Sequence, residues 1–215
     1  MIVVIQCAAT KHPDSGYLIS QEGKKVSFVA NPAEAPDGES IVHARPDSDS
    51  DTRGTWRDVL CEYNKSKSNS NPLNLKQASD LYSHPIYAKL PSVFGKENVY
   101  VLSAGWGLIR SDFLTPYYDI TFNGRADAYK RRRKNDRYDD FSARDLKTDE
   151  IVFFGGKDYL SFFISVTGDL ECKKTIFFNS KTAPNVANCS FFRYPTTART
   201  NWHYQCAEWF ANEHS

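Results

Sequence analysis

Four short apolar runs constrain this chain more than any other feature. Ile2-Val-Val-Ile5, Val99-Tyr-Val-Leu102, Ile151-Val-Phe-Phe154 and Thr175-Ile-Phe-Phe178 are each too short and too β-branched or aromatic for a buried helix. None alternates with polar residues, so each reads as a strand buried on both faces, the signature of a parallel sheet under helices. Each run also ends in small or polar residues: Gln6-Cys-Ala-Ala-Thr10, Ser103-Ala-Gly105, Gly155-Gly156 and Asn179-Ser180. A fifth, weaker strand is predicted at Ser190–Tyr194.

Helical spacing fills the intervals. Trp56, Val59, Leu60 and Tyr63 share a face, and Leu75–Phe94 reads as helix broken near Pro85 and Pro91. Gly156 opens a helix through Tyr159, Phe162 and Phe163, and Thr200–Asn212 closes the chain, with Thr200 as a plausible cap. Strands alternating with helices predict an α/β fold, a mainly parallel central sheet with helices on both faces. At 215 residues a single domain, 1–215, is expected. The stretch of about 16–53 is different: a hairpin-like piece at Lys25–Ala30, then Pro- and Asp-rich sequence. It reads as an insertion with two edge strands and a mobile tip.

Function classes narrow by exclusion. The net charge of +1 rules out a global field for nucleic acid, so a polyanion needs a local patch. No apolar run approaches a membrane span, and the opening residues turn polar too soon for a secretory leader. Five cysteines, odd in number and without a Cys-x-x-Cys pair, suggest neither a disulfide framework nor a zinc site. A cytoplasmic protein without metal or cofactor is expected; the oligomeric state is left open.

In a doubly wound sheet, ligands sit beyond the carboxyl ends of the strands. The expected site is therefore a rim made by Cys7–Lys11, Ser103–Leu108, Gly155–Tyr159 and Asn179–Ser180, shaped for a nucleotide or nucleobase. Cys7 and Lys11 are either a buried thiol and a surface lysine or an anion-receiving turn. Gly105 and Gly107 flank Trp106, which either offers an indole face for stacking or packs inward. Tyr118 and Asp119 bring an aromatic ring beside a carboxylate; Asp119 is a general base or a turn former. Lys130-Arg131-Arg132-Arg133-Lys134 is a solvated face or a contact to phosphates. Gly155 and Gly156, at a strand–helix junction, suit an anion, although neither a Walker A loop nor a Rossmann fingerprint is present. Asn179 has an amide able to read a base edge, and Arg199 and His203 begin the last helix.

Taken together, Cys7-Ala-Ala-Thr-Lys11, Asp80-Leu-Tyr-Ser-His-Pro-Ile-Tyr87, Leu102-Ser-Ala-Gly-Trp-Gly-Leu108, Pro116-Tyr-Tyr-Asp119 and Phe154-Gly-Gly-Lys-Asp-Tyr159 resemble a known pattern. It is that of a bacterial and phage family beginning Cys-Ser-x-x-Lys and carrying Leu-Ser-Ala-x-x-Gly-Leu. That family is similar to YaaA-type peroxide-stress proteins and to the glycosylase-like domain of archaeosine synthases. The resemblance covers roughly residues 1–12 and 75–180; Ala8 stands where serine is usual, and the 16–53 stretch is unlike the compact members.

The resemblance implies a uracil-DNA-glycosylase-like fold and double-stranded DNA with modified bases as partner. It also implies an activity like that of the Brig-type anti-phage glycosylases, which excise glucosylated cytosines. On that reading Asp119 is catalytic, and Trp106, Tyr118, Tyr159 and Asn179 hold the base. Lys11, Arg131, Arg132, Arg133, Arg199 and His203 hold phosphates, while Cys7, Ser103, Gly105, Gly107, Gly155 and Gly156 form the rim. The alternative is a DNA-binding stress protein that cleaves nothing.

Overall fold

A computed structural model describes residues 1–66, 70–198 and 200–215. The apolar runs form the centre of a six-stranded sheet. Its strands are β1 (Ile2–Gln6), β6 (Val99–Ser103), β7 (Gly107–Arg110), β10 (Glu150–Phe154), β11 (Lys173–Phe178) and β12 (Cys189–Arg193), in the order β12-β11-β10-β1-β6-β7. Five run parallel; β7 alone is antiparallel, folded back from β6. Val3, Val4 and Ile5 at the middle of β1 are fully enclosed, as a strand covered on both faces requires.

Strand alternation assigns the helices to faces. Phe153 stacks on Phe163 of α3 (Lys157–Val166) with ring centroids 4.4 Å apart. Its neighbour Phe154 points the other way, to Phe210 of α4 (Trp202–Glu213) at 5.3 Å. α2 (Ile86–Phe94) joins α4 on that face through Phe94 and Phe210. The expected mainly parallel α/β sheet with helices on both faces is present.

The stretch 16–53 is more than an appendage. β3 (Lys25–Val29) is the spine of a second sheet with β4 (Ile41–Ala44) along one edge and, along the other, β2 (Leu18–Ile19) and β9 (Tyr118–Asp119). Val26 and Phe28 are fully enclosed, and the Phe28 ring meets Trp106 at 4.9 Å and Trp56 at 6.2 Å. Two edge strands were expected; a four-stranded sheet sharing the main core is found. The loop after β3 is tied back by Asn31, whose Nδ2 donates to the Ala128 carbonyl at 2.7 Å.

One helix forms where expected and another shifts. α1 covers Trp56–Lys65, closed by a capping box between Thr55 and Asp58. In the long 75–94 stretch, helix forms only over Ile86–Phe94; the first part pairs as β5 (Lys76–Gln77) with β8 (Leu114–Thr115). Pro91 lies inside α2 without ending it. Among the described residues no helix is long and apolar enough to cross a membrane.

Candidate functional site

The carboxyl ends of β1, β10 and β11 open onto a cavity of about 660 Å³. β1 contributes Gln6, Cys7 and Ala8; the β10–α3 junction contributes Gly155 through Tyr159; β11 contributes Phe177, Asn179 and Ser180. Two further walls come from Thr121–Asn123, after β9, which was not foreseen, and from Thr200–Tyr204 at the start of α4, where only His203 and Arg199 were expected to meet a ligand. Aromatic rings line much of the cavity, with Phe122 set edge-on to Tyr159 at 5.1 Å. Gln6 fixes the junction by accepting the Gly156 N–H at 2.6 Å on its Oε1. The Asn179 Nδ2 donates to the Ala198 carbonyl at 3.3 Å, which orients its amide.

Of the expected rim, Cys7, Gly155, Gly156, Tyr159 and Asn179 meet there. The β6 end does not. Ser103 Oγ accepts the N–H groups of Gly105 and Trp106 and closes a hairpin into β7. Gly107 has φ 85° and lies against the Phe141 backbone, which pairs with Trp106 and Leu108. That backbone contact, rather than access for a ligand, demands the glycine. A Cβ at Gly105 would press on Tyr118 at 3.1 Å. Trp106 is only 1 % exposed, so no indole face is left for a base. Stacking by Trp106 is corrected to core packing.

Behind the cavity lies a buried polar cluster. Cys7 Sγ is 3.1 Å from Tyr159 Oη and receives the Ala104 N–H at 3.4 Å. Tyr82 and Tyr118 share a 2.7 Å hydrogen bond between their hydroxyls. Burial pushes the Tyr82, Tyr118 and Tyr159 phenols well above their ordinary range, so all three stay protonated. Tyr118 is enclosed and does not line the cavity, so it cannot stack on a ligand there.

Lys11 is folded inward because its backbone bridges to Tyr82 beside the Leu81–His12 hydrogen bond. Its Nζ sits 4.1 Å from the Tyr118 ring centroid and 3.5 Å from the Ala8 carbonyl. Burial lowers its pKa, partly opposed by its electrostatic interaction with neighbouring Cys7 and Asp119. Lys11 does not reach the cavity lining. Asp119 does not either: its carboxylate pairs with Lys130 at 3.1 Å, and Lys130 is held charged by Asp119 and Asp127.

The basic block divides by residue. Arg132 is buried, forms a two-pronged pair with Asp140 (2.8 and 2.6 Å), donates to the Ala104 carbonyl at 2.9 Å and lies 3.8 Å over the Tyr138 ring. It is a strut, not a phosphate contact. Arg131 donates to the Gly124 carbonyl, Arg133 is exposed, and Lys134 pairs with Asp158 at 3.2 Å. A second, polar cavity of about 590 Å³ beside the block is lined by Asp136 and Asp140 as well as by Arg132, Lys134 and Arg137.

At α4 the expected Thr200 cap is replaced by Asn201, with φ 59° and no side-chain cap. His203 is buried and its pKa is brought down to about 4, by burial first and by His84 second. It is neutral at neutral pH and cannot bind phosphate as a cation. Arg199 lies outside the described residues. Asp158 is the only carboxylate that lines the cavity among the described residues. The Gly156-Lys-Asp-Tyr159 motif contains it, but that motif reads from sequence as an anion-binding junction, not as the source of a carboxylate.

A model of a family of unknown function, DUF6884, matches residues 60–179, more than half of the chain. The chain belongs to that family. The DUF6884 stretch supplies β6, β7, β10, α3 and β11, and so the Gly155–Tyr159 wall and Asn179. Cys7 and the α4 wall come from outside it. No curated protein matches the chain, and no solved structure matches it.

Proposed function

We propose that this DUF6884 chain is a DNA glycosylase that takes an extruded, modified base into the 660 Å³ cavity and cleaves its N-glycosidic bond. The observation that carries the reading is the cavity itself. Its volume is in the range of small-molecule sites, about 300–1,000 Å³. Its walls combine flat rings (Phe122, Tyr159, Phe177, Trp202), an anchored amide (Asn179) and one carboxylate (Asp158). Enzymes that act on a base must draw it from the stack into such a pocket, at a cost of a few kcal/mol. The resemblance to uracil-DNA-glycosylase-like proteins and to anti-phage glycosylases of glucosylated cytosine supports the same reading, in a cytoplasmic setting.

The carboxylate role then moves from Asp119 to Asp158. Asp158 orients water toward C1′ and offsets positive charge on the sugar as the C1′–N bond breaks. Water adds its oxygen to C1′, and its proton leaves with the base. Asn179 holds the base edge, and the Phe122–Tyr159 pair packs against one side of it.

Duplexes carrying glucosylated hydroxymethylcytosine, hydroxymethylcytosine or plain cytosine, incubated with the protein, should yield abasic sites on a modified substrate. Asp158→Asn should lower the rate by about 100-fold or more with DNA affinity kept, and Asp119→Asn should retain most activity. Folded protein that forms no abasic site on any of the three rejects the proposal. Salt-dependent DNA binding without cleavage would select the binding protein instead.

A further inference from the structure

At one corner of the cavity the first turns of α3 and α4 open onto the same space. α3 starts at Gly156 and α4 at Asn201, both without a side-chain cap. The N–H groups of Lys157 and Asp158 find no acceptor among the described residues. Such first-turn amides carry partial positive charge and face outward.

A second observation points to a ligand. His203 lines the cavity, is 3 % exposed, and its Nε2 has no partner among the described residues. Unpaired buried nitrogens are rare because the lost hydration is not recovered. Its neighbouring rings among the described residues do not complete it: His84 stacks on Tyr204 at 4.0 Å, and Tyr204 lies 4.2 Å from the His203 ring. Lys157 also lines the cavity, is exposed, and makes no ion pair among the described residues. The nearby Asp158 carboxylate is engaged by Lys134.

We infer that this corner is a phosphate subsite. The N–H groups of Lys157 and Asp158, the Lys157 ammonium and His203 Nε2 receive a tetrahedral phosphate attached to the nucleoside in the cavity. The nucleoside half of this inference rests on the base-excision reading; the phosphate half does not. Either a phosphomonoester or a DNA phosphodiester carries the required chemistry.

The full chain, labelled with ¹⁵N and with ¹³C-histidine, is titrated with inorganic phosphate, deoxycytidine, its 5′-monophosphate and a dinucleoside monophosphate. Phosphate alone should move the Lys157, Asp158 and His203 signals and raise the His203 titration midpoint. The monophosphate or the dinucleotide should bind roughly tenfold or more tightly than deoxycytidine, and the tighter of the two names the source. Lys157→Pro keeps the helix, since proline suits the first helical position, but deletes one N–H and the cation. It should abolish the phosphate advantage, and Lys157→Ala should lose part of it.

Equal affinity for nucleoside and nucleotides, or phosphate-induced shifts confined to other surfaces, overturns the subsite. Shifts at α3 and α4 without abasic product on any DNA would keep the subsite and reject excision. Abasic product without those shifts would do the reverse.

Discussion

At the scale of single residues, burial decides roles that residue type leaves open. Arg132 and Lys134 stand two positions apart in one basic run, yet one is enclosed against Asp140 and the other is exposed and pairs with Asp158. Removing one partner of a buried pair strands the other, so Arg132→Ala should cost about 3 kcal/mol, read as a shift in denaturant midpoint. An unchanged midpoint would mean that Asp140 is already solvated. His203 gives a pH signature. Its folded pKa of about 4 lies below the ordinary 6.5, so the unfolded chain binds the extra proton between those values. Stability should be full above pH 6.5 and fall toward pH 4, by up to about 3 kcal/mol. His203→Gln should flatten that slope; an unaltered slope would assign it to other groups. Cys7, Tyr159, Gly155, Gly156 and Asn179 were legible because a strand end fixes position. Trp106, Tyr118 and Arg132 were misjudged because their spacing carries no information on which neighbours enclose them.

At the scale of elements, the buried strands were the most readable part, since an unbroken apolar run has few other uses. The short pairings β5–β8 and β3–β9 were not readable, because two-residue strands leave no periodicity. β7 was missed for a related reason: Gly105-Trp-Gly107 looks like a ligand loop until its partner Phe141 is placed beside it. Gly107→Ala tests that assignment. The left-handed backbone and the Phe141 contact should make it destabilising by more than about 1 kcal/mol. A neutral effect would free the turn for another role. Thr55→Ala should remove the α1 capping box at a cost of about 1 kcal/mol, measured by thermal or denaturant unfolding.

At the scale of the whole molecule, two sheets meet at one core and leave the β1–β10–β11 end open. The 16–53 stretch braces β9, and the chain after β9 provides Phe122 on the cavity wall. Its removal should therefore damage folding, not merely trim a loop. The sheet class was readable from the strand runs, whereas the Thr121–Asn123 wall was not, since nothing in that loop's sequence states where it docks. Hydrogen–deuterium exchange of the intact chain with and without DNA carrying the modified base addresses the central claim most directly. The account requires added protection at 155–159 and 201–204, with residues 104–110 and 117–119 unchanged. Protection centred on Lys11, Asp119 and the second sheet, with the α3 and α4 first turns unaffected, would contradict it.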